Sequence, residues 1–313
     1  MSKKTSLIIS NTRAYFFSRI FVHLCIKSKW VCMIYKHYHS LIGKTSSLDY
    51  EDVEQIFIIY GILRESENVF LINKIANDLK LSTYVDIGVN YGQFAKAVSD
   101  SFKSIIVVDA NKEALHYASK YVAHDNMNCI HAAVVPSEIT QKEVSFSIPT
   151  GNTGLGHVVY DNSTANTVPA IHVSSLFSTI DLPKSIVKID VEGSEPDIIR
   201  DIVKSTLLEN YPVILFESLN KESMLKVDDL IQEGEFFYIV ARYNFISETG
   251  LMGDNMRGLI YTLLSGKSTL DLFRFKSLSE CDFEFVPLIF MIPKKYEESI
   301  EGGIELAPQF IEL

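Results

Sequence analysis

The chain has no apolar run approaching the ~18 residues that a bilayer-crossing helix needs, so no helical membrane span is predicted. Its four cysteines, Cys25, Cys32, Cys129 and Cys281, form no C-x-x-C pair and no metal-ligand spacing. That excludes a disulfide framework or a zinc module and fits a reduced intracellular setting, with cysteine used as a small hydrophobe. There is no internal repeat and no low-complexity tract. Acids are absent from residues 1–48, which hold eight lysines and arginines and are therefore +8, whereas the whole chain is −10. Residues 49–313 thus carry −18, and so acidic a body gives no electrostatic reason to bind nucleic acid.

What is present is a 313-residue globular composition, 47% hydrophobic, long enough for one large domain with appendages. Residues 1–48 read as a basic segment in which Phe16, Phe17, Ile20, Phe21 and Leu24 share one helical stripe and Arg19, His23 and Lys27 another. Such a helix either lies in a membrane interface or packs on the main domain. Arg19 interrupts the apolar region and no small-residue cleavage site follows, which argues against a signal peptide. The main domain is expected over 49–313, cytoplasmic, with membrane contact only through 1–48. Within it, 49–80 is a helical lead-in capped at Asp49 or Ser47, with a second helix near 66–79. Residues 244–280 form an insertion.

Short apolar runs alternate with helical patterns from residue 83 onward. Strands are expected at 83–87, 104–109, 128–134, 185–190, 212–217 and 236–241. A last strand lies within 283–292, where Pro287 suggests a bulge or an edge. Alternation of this length implies right-handed crossovers and a parallel sheet. Residues 143–173 break the pattern with two β-like runs, Val144–Ile148 and Val168–Val173. Between them lies a glycine-rich loop, Gly151-Asn-Thr-Gly-Leu-Gly-His157, which reads either as an active-site cover or as a simple hairpin connection.

Two motifs carry the chemistry. Asp86-Ile-Gly-Val-Asn-Tyr-Gly92 follows the first strand and opens a helix, so Gly88 and Gly92 permit a tight turn, close approach of a ligand, and helix N–H groups directed at it. The spacing is not G-x-G-x-x-G: Ala95 or Lys96 stands where a third glycine is wanted, which weakens a reading as an NAD-dependent oxidoreductase. An acid two residues before the first glycine suits a ligand with a cationic end and favours S-adenosylmethionine, whose ammonium Asp86 can accept directly or through water. Asp109, ending the next strand, can accept from the ribose hydroxyls. The predicted cofactor set is Asp86, Gly88, Asn90, Gly92, Phe94, Asp109, Ala133 and Asp190.

The second motif is Lys188-Ile-Asp-Val-Glu-Gly-Ser-Glu195. Strand alternation puts Lys188 and Asp190 on one side. Four strand ends carry acids: Asp86, Asp109, Asp190 and Glu217. Asp190, Glu192 and Glu217 can converge on the substrate cleft, where three roles compete: general base, ammonium ligand, or ligand of a divalent metal. His157 is the alternative base. His131 and His172 lie on β runs and read as structural, and Glu195 suits a helix dipole.

Asp86-Ile-Gly-Val-Asn-Tyr-Gly-Gln-Phe94 and Val187-Lys-Ile-Asp-Val-Glu-Gly-Ser-Glu195 resemble the two hallmark motifs of FkbM-type S-adenosylmethionine-dependent methyltransferases, over residues 80 to 220 and weakly near 282–293. The resemblance implies a Rossmann-like class I methyltransferase fold, a mostly parallel seven-stranded α/β sheet with an antiparallel last strand and helices on both faces. It also implies methyl transfer, usually to an oxygen of a sugar, glycan or secondary metabolite, and hence a place in polysaccharide biosynthesis. Two departures are Val89, where the family has Ala, and Asp109-Ala110, where it has Glu-Pro. A non-catalytic S-adenosylmethionine-binding or glycan- or membrane-associated module of the same fold is the competing class.

Overall fold

The computed structural model describes residues 3–10, 52, 54–55, 66–160, 166–217, 221–229, 231, 235–244, 267–280, 288–300 and 311–312. The amphipathic stripe at 16–24, the helical piece expected near 256–265 and Pro287 lie outside these residues.

Fourteen strands are described: β1 (Lys3–Ser10), β2 (Thr83–Ile87), β3 (Ser104–Asp109), β4 (Met127–His131), β5 (Ala133–Val135), β6 (Glu143–Ser147), β7 (His157–Val159), β8 (Thr167–His172), β9 (Ser185–Ile189), β10 (Val213–Phe216), β11 (Phe236–Asn244), β12 (Lys267–Phe275), β13 (Ile289–Pro293) and β14 (Ile311–Glu312). The helices are α1 (Ser66–Leu79), α2 (Gln93–Val98), α3 (Lys112–Val122), α4 (Val173–Phe177), α5 (Glu195–Ser205) and α6 (Lys221–Asp229). No described helix is long and apolar enough to cross a membrane.

The main sheet runs β14-β1-β12-β11-β13-β10-β9-β2-β3-β4. Its central strands β10, β9, β2, β3 and β4 are parallel. β13 is antiparallel to both β10 and β11, between which it is inserted. Seven strands, β4 to β11, therefore make the expected α/β sheet, with its last strand reversed. Three more extend it: β12 pairs with β11, β1 with β12, and β14 with β1. The N-terminal Lys3–Ser10 is thus a sheet strand.

Both faces are covered, as a parallel sheet requires. One face buries Tyr84, Ile105, Val107, Ile186 and Leu215 under α1, α2 and α3, with Leu71, Ile72, Ile75 and Ala76 of α1 fully enclosed. The other buries Val85, Ile87, Val187, Ile189 and Phe216 under α4, α5 and α6, with Ile198, Ile199 and Ile202 supplied by α5. The period of two along β2 and β9 produces this division.

The run 128–134, expected as one strand, is two strands in different sheets. β4 stays beside β3, whereas β5 turns away and pairs in parallel with β8. Ala132 makes the corner, donating its N–H to the Asp109 carbonyl at 3.1 Å, and β5 then joins a second sheet of order β5-β8-β6-β7. Ala133, Val135, Val144, Phe146 and Val168 form that sheet's own small core. The wing so formed projects beside the carboxyl ends of the parallel strands.

Candidate functional site

A cleft of about 260 Å³ opens where the parallel strands end, between those ends and the wing. This is where open parallel sheets bind ligands. Asp86, Asp109, Asp190 and Glu217 all line it, together with Gly88, Asn90, Phe94, Ala133, Glu192 and His157.

The glycines at the first corner serve the fold more than a ligand. Gly88 has φ +83°, and a Cβ there would lie 1.8 Å from the main-chain oxygen of Asp190. The two motifs are therefore packed backbone to backbone. Gly92, φ +84°, faces α3, where a Cβ would come within 3.0 Å of Ala118 Cβ and Val122 Cγ2. The helix that follows, α2, is only six residues long, so its dipole offers less than the sequence suggested. Asn90 and Glu192 also take left-handed backbone, at φ +50° and +58°, although neither is glycine.

Asp109 is the hub of the corner. Its Oδ2 accepts from the Asn90 N–H at 2.6 Å and its Oδ1 from the Asn111 N–H at 2.7 Å. Asn111 in turn caps α3, accepting from the N–H groups of Glu113 and Ala114. A carboxylate oxygen has a second lone pair, so Asp109 keeps acceptor capacity for hydroxyls in the cleft. Burial pushes its carboxyl up to about 6, against the two backbone hydrogen bonds.

Asp86 lies within the sheet, in register with Lys188 on the neighbouring strand, and is 1% exposed. Tyr84 donates its hydroxyl to Oδ2 at 3.2 Å. Oδ1 lies 3.4 Å from the Lys188 ammonium and has no hydrogen-bond partner. Lys188, 3% exposed, also donates to Asp190 Oδ2 at 2.9 Å and lies 5.2 Å from the centre of the Phe94 ring. Burial alone would lower the Lys188 pKa, but Asp190 and Asp86 outweigh it and hold the ammonium above its ordinary range. The sequence placed Lys188 on the correct side without revealing this role, which depends on the β2–β9 register.

Carboxylate oxygens of Asp190, Glu192 and Glu217 lie within 4.8 Å of one another, so these three residues do come together. They could ligate a cation, but Lys188 already supplies positive charge at Asp190. Glu195 instead folds back on the turn before α5, accepting from the N–H groups of Val191 and Gly193. His157 lies on the wing with Nδ1 3.1 Å from the Leu155 carbonyl. His131 contacts the Ala110 carbonyl through Nε2 at 3.0 Å, and His172 is on β8.

The wing loop is tied from the far side. Asp52, 3% exposed, accepts from the Thr153 N–H at 2.8 Å and its hydroxyl at 3.1 Å, as well as from the N–H groups of Glu54 and Gln55. Asp52 therefore caps the turn at 54–55; Asp49 and Ser47, the caps expected from the sequence, lie outside the described residues. The linkage puts Glu54 on the cleft wall. Burial pushes the Tyr91 hydroxyl, on the same side of the cleft, up to about 12. The glycine loop is thus both a β6–β7 hairpin connection and a wall of the cleft.

Several similar solved structures are methyltransferases. An O-methyltransferase from Bacillus cereus in complex with SAH matches at 9% identity and TM-score 0.37, covering 67% of this chain and 81% of that one. A precorrin-6y C5,15-methyltransferase from Geobacter metallireducens matches at 11% and 0.36, covering 74% and 91%. The N-methyltransferase NodS from Bradyrhizobium japonicum matches at 13% and 0.33, covering 74% and 96%. Scores this low carry no argument about activity, and the fold assignment rests on the strand order itself. No family model and no curated protein matches the chain, so the FkbM resemblance stands on its two motifs.

Proposed function

We propose that this protein is an S-adenosylmethionine-dependent methyltransferase acting on a hydroxyl oxygen of a sugar, a glycan or a secondary metabolite. The observation that carries the reading is a pair of buried carboxylates with unspent acceptor capacity flanking a glycine turn: Asp86 Oδ1, which has no hydrogen-bond partner, and Asp109, whose oxygens each hold a single N–H. The first suits an ammonium and the second suits ribose hydroxyls. An acidic cleft also suits a sulfonium.

When bound, S-adenosylmethionine supplies an electrophilic methyl group on positively charged sulfur. The protein's own residues orient and deprotonate. Asp109 and Asn90 fix the turn; Lys188 holds Asp190 beside Asp86; in this reading the Asp190–Glu192–Glu217 group, whose carboxylate oxygens lie within 4.8 Å of one another, takes the hydroxyl proton. Positioning can supply up to ~7–11 kcal/mol of barrier reduction, and a base about 10²–10⁴-fold in rate. Alignment is therefore the larger contribution, and His157 is the second candidate for the base.

Calorimetry tests the reading. S-adenosylmethionine and S-adenosylhomocysteine should bind, and Asp109→Asn should weaken both at least ~10-fold, because an amide in place of the carboxylate sets an N–H against one of the two backbone donors. Binding of NAD in preference to either ligand would overturn the proposal.

A further inference from the structure

Tyr84 and Asp86 lie two residues apart on β2 and so project from the same face of the sheet. Tyr84 is fully enclosed there, in register with Ile105 of β3 and Ile186 of β9, and its ring centre lies 5.4 Å from that of Phe102. It does not line the cleft. A hydroxyl buried so deeply costs free energy unless it finds a partner, and phenylalanine would fill the same space without that cost. The partner is Asp86 Oδ2, to which Tyr84 donates at 3.2 Å. Burial, and then the neighbouring Asp86, push the Tyr84 hydroxyl well above its ordinary range, so it stays protonated and remains a donor.

The terminal torsion of an aspartate is broad, so nothing in Asp86 itself decides how its two oxygens are turned. Lys188 does not decide it either. Its ammonium donates to Asp190 Oδ2 at 2.9 Å and stands 3.4 Å from Asp86 Oδ1 without making a hydrogen bond there. Tyr84 can decide it, because a ring packed between two strands and Phe102 offers its O–H from one direction. With Oδ2 so engaged, Oδ1 is left as the buried acceptor that has no donor.

We infer that Tyr84 is a positioning residue for the cofactor: its hydroxyl holds the Asp86 carboxylate turned so that Oδ1 receives the ammonium of S-adenosylmethionine. The inference rests on the methyltransferase reading above and adds to it a residue that touches no ligand and acts through Asp86. Its influence is confined to the amino-acid end of the cofactor. Asp109, which the same reading assigns to the ribose, is held by the N–H groups of Asn90 and Asn111 and owes nothing to Tyr84. Removing the Tyr84 hydroxyl should therefore loosen one end of the ligand and leave the other end as it was.

The test is calorimetry on the full chain with two ligands, S-adenosylhomocysteine and methylthioadenosine. The second keeps adenine, ribose and sulfur but lacks the amino-acid end. Tyr84→Phe, which retains the ring against Phe102, should weaken S-adenosylhomocysteine roughly 5- to 20-fold. Its affinity for methylthioadenosine should stay within about twofold of wild type. Asp86→Asn should show the same split, and in the double variant the two losses should not add, because both act on one carboxylate. Unchanged affinity for S-adenosylhomocysteine in Tyr84→Phe overturns this inference and leaves the methyltransferase reading standing. So does an equal loss for both ligands, which would mark the hydroxyl as part of the packing of the corner, and so do additive losses in the double variant. A wild-type protein that binds neither ligand overturns both.

Discussion

Gly88→Ala should unfold the cofactor corner before it affects any ligand. The added Cβ is directed at the Asp190 carbonyl oxygen, 1.8 Å away, which is main chain and cannot swing aside. Left-handed backbone costs a non-glycine residue roughly 1–2 kcal/mol. Forcing an extra carbon into packed structure costs typically about 1–3 kcal/mol. Separating the strands further strains the bonds from the Asp190 N–H to the Ile87 carbonyl and from the Gly88 N–H to the Val108 carbonyl; loss of one such buried bond costs about 1–3 kcal/mol. Together these give roughly 3–8 kcal/mol. For 313 residues, an unfolding entropy of ~2.1 cal/mol/K per residue converts that into a fall in Tm of about 5–12 °C. The assay is a thermal melt of the ligand-free protein followed by circular dichroism. Gly92→Ala is the control: it shares the left-handed backbone, but its Cβ would meet Ala118 Cβ and Val122 Cγ2 at 3.0 Å and Ala118 Cα at 3.3 Å, against 1.8 Å at Gly88, so a shift of a few tenths of an ångström suffices and a drop of about 2–5 °C is expected. A Gly88→Ala protein that melts within ~2 °C of wild type yet has lost S-adenosylmethionine affinity would refute the reasoning and restore the glycine to the ligand.

Asp109 gives a signature of two opposite signs. Its folded pKa of about 6 lies above the 3.8 of a free carboxyl, so the folded state binds more protons between those values, and its contribution to stability falls as pH rises across that window. Ionised Asp109 is the better acceptor for ribose hydroxyls, so S-adenosylmethionine affinity should rise through the same window. Melts and calorimetry at pH 5 and 7.5 check both, and a parallel trend would contradict the assignment. Asp52→Ala removes both bonds to Thr153 and the cap of residues 54–55; about 2–4 kcal/mol of local tethering should be lost, read as faster proteolysis within 150–160 and weaker cofactor binding. Glu192→Gly relieves left-handed strain while removing a carboxylate, so Tm should hold or rise by a degree or two while turnover falls at least ~10-fold. An active Glu192→Gly protein would take this residue out of the chemistry.

Much of the sheet was legible because parallel strands buried on both faces read as apolar runs, and α1 is bounded at 66 and 79 where its periodicity begins and ends. The convergence of Asp190 and Glu217 followed from strand-end position alone. What could not be read was pairing between distant segments. Nothing local in Asn128–Val134 announces that Ala132 turns the chain into a second sheet, and nothing in Lys3–Ser10 names Lys267–Phe275 as its partner. The reason for Gly88 was hidden in the same way, since the atom that demands it belongs to residue 190. Asn111 was the exception among missed residues: an Asn directly before a helix with Glu two positions later carries a visible cap signal.

The insertion of β13 between β10 and β11 also fixes an order of assembly. A chain emerging from the ribosome presents β11 before β13, yet the two strands flanking β13 have no partner on that side until residues 289–293 arrive. Until then the sheet exists as two pieces, each with an open edge of unpaired N–H and C=O groups, and such edges invite association with other chains. Synthesis halted before residue 289 should therefore leave a product that aggregates, however complete its cofactor corner, because the last strand made at the centre of the sheet is the one that joins its two halves.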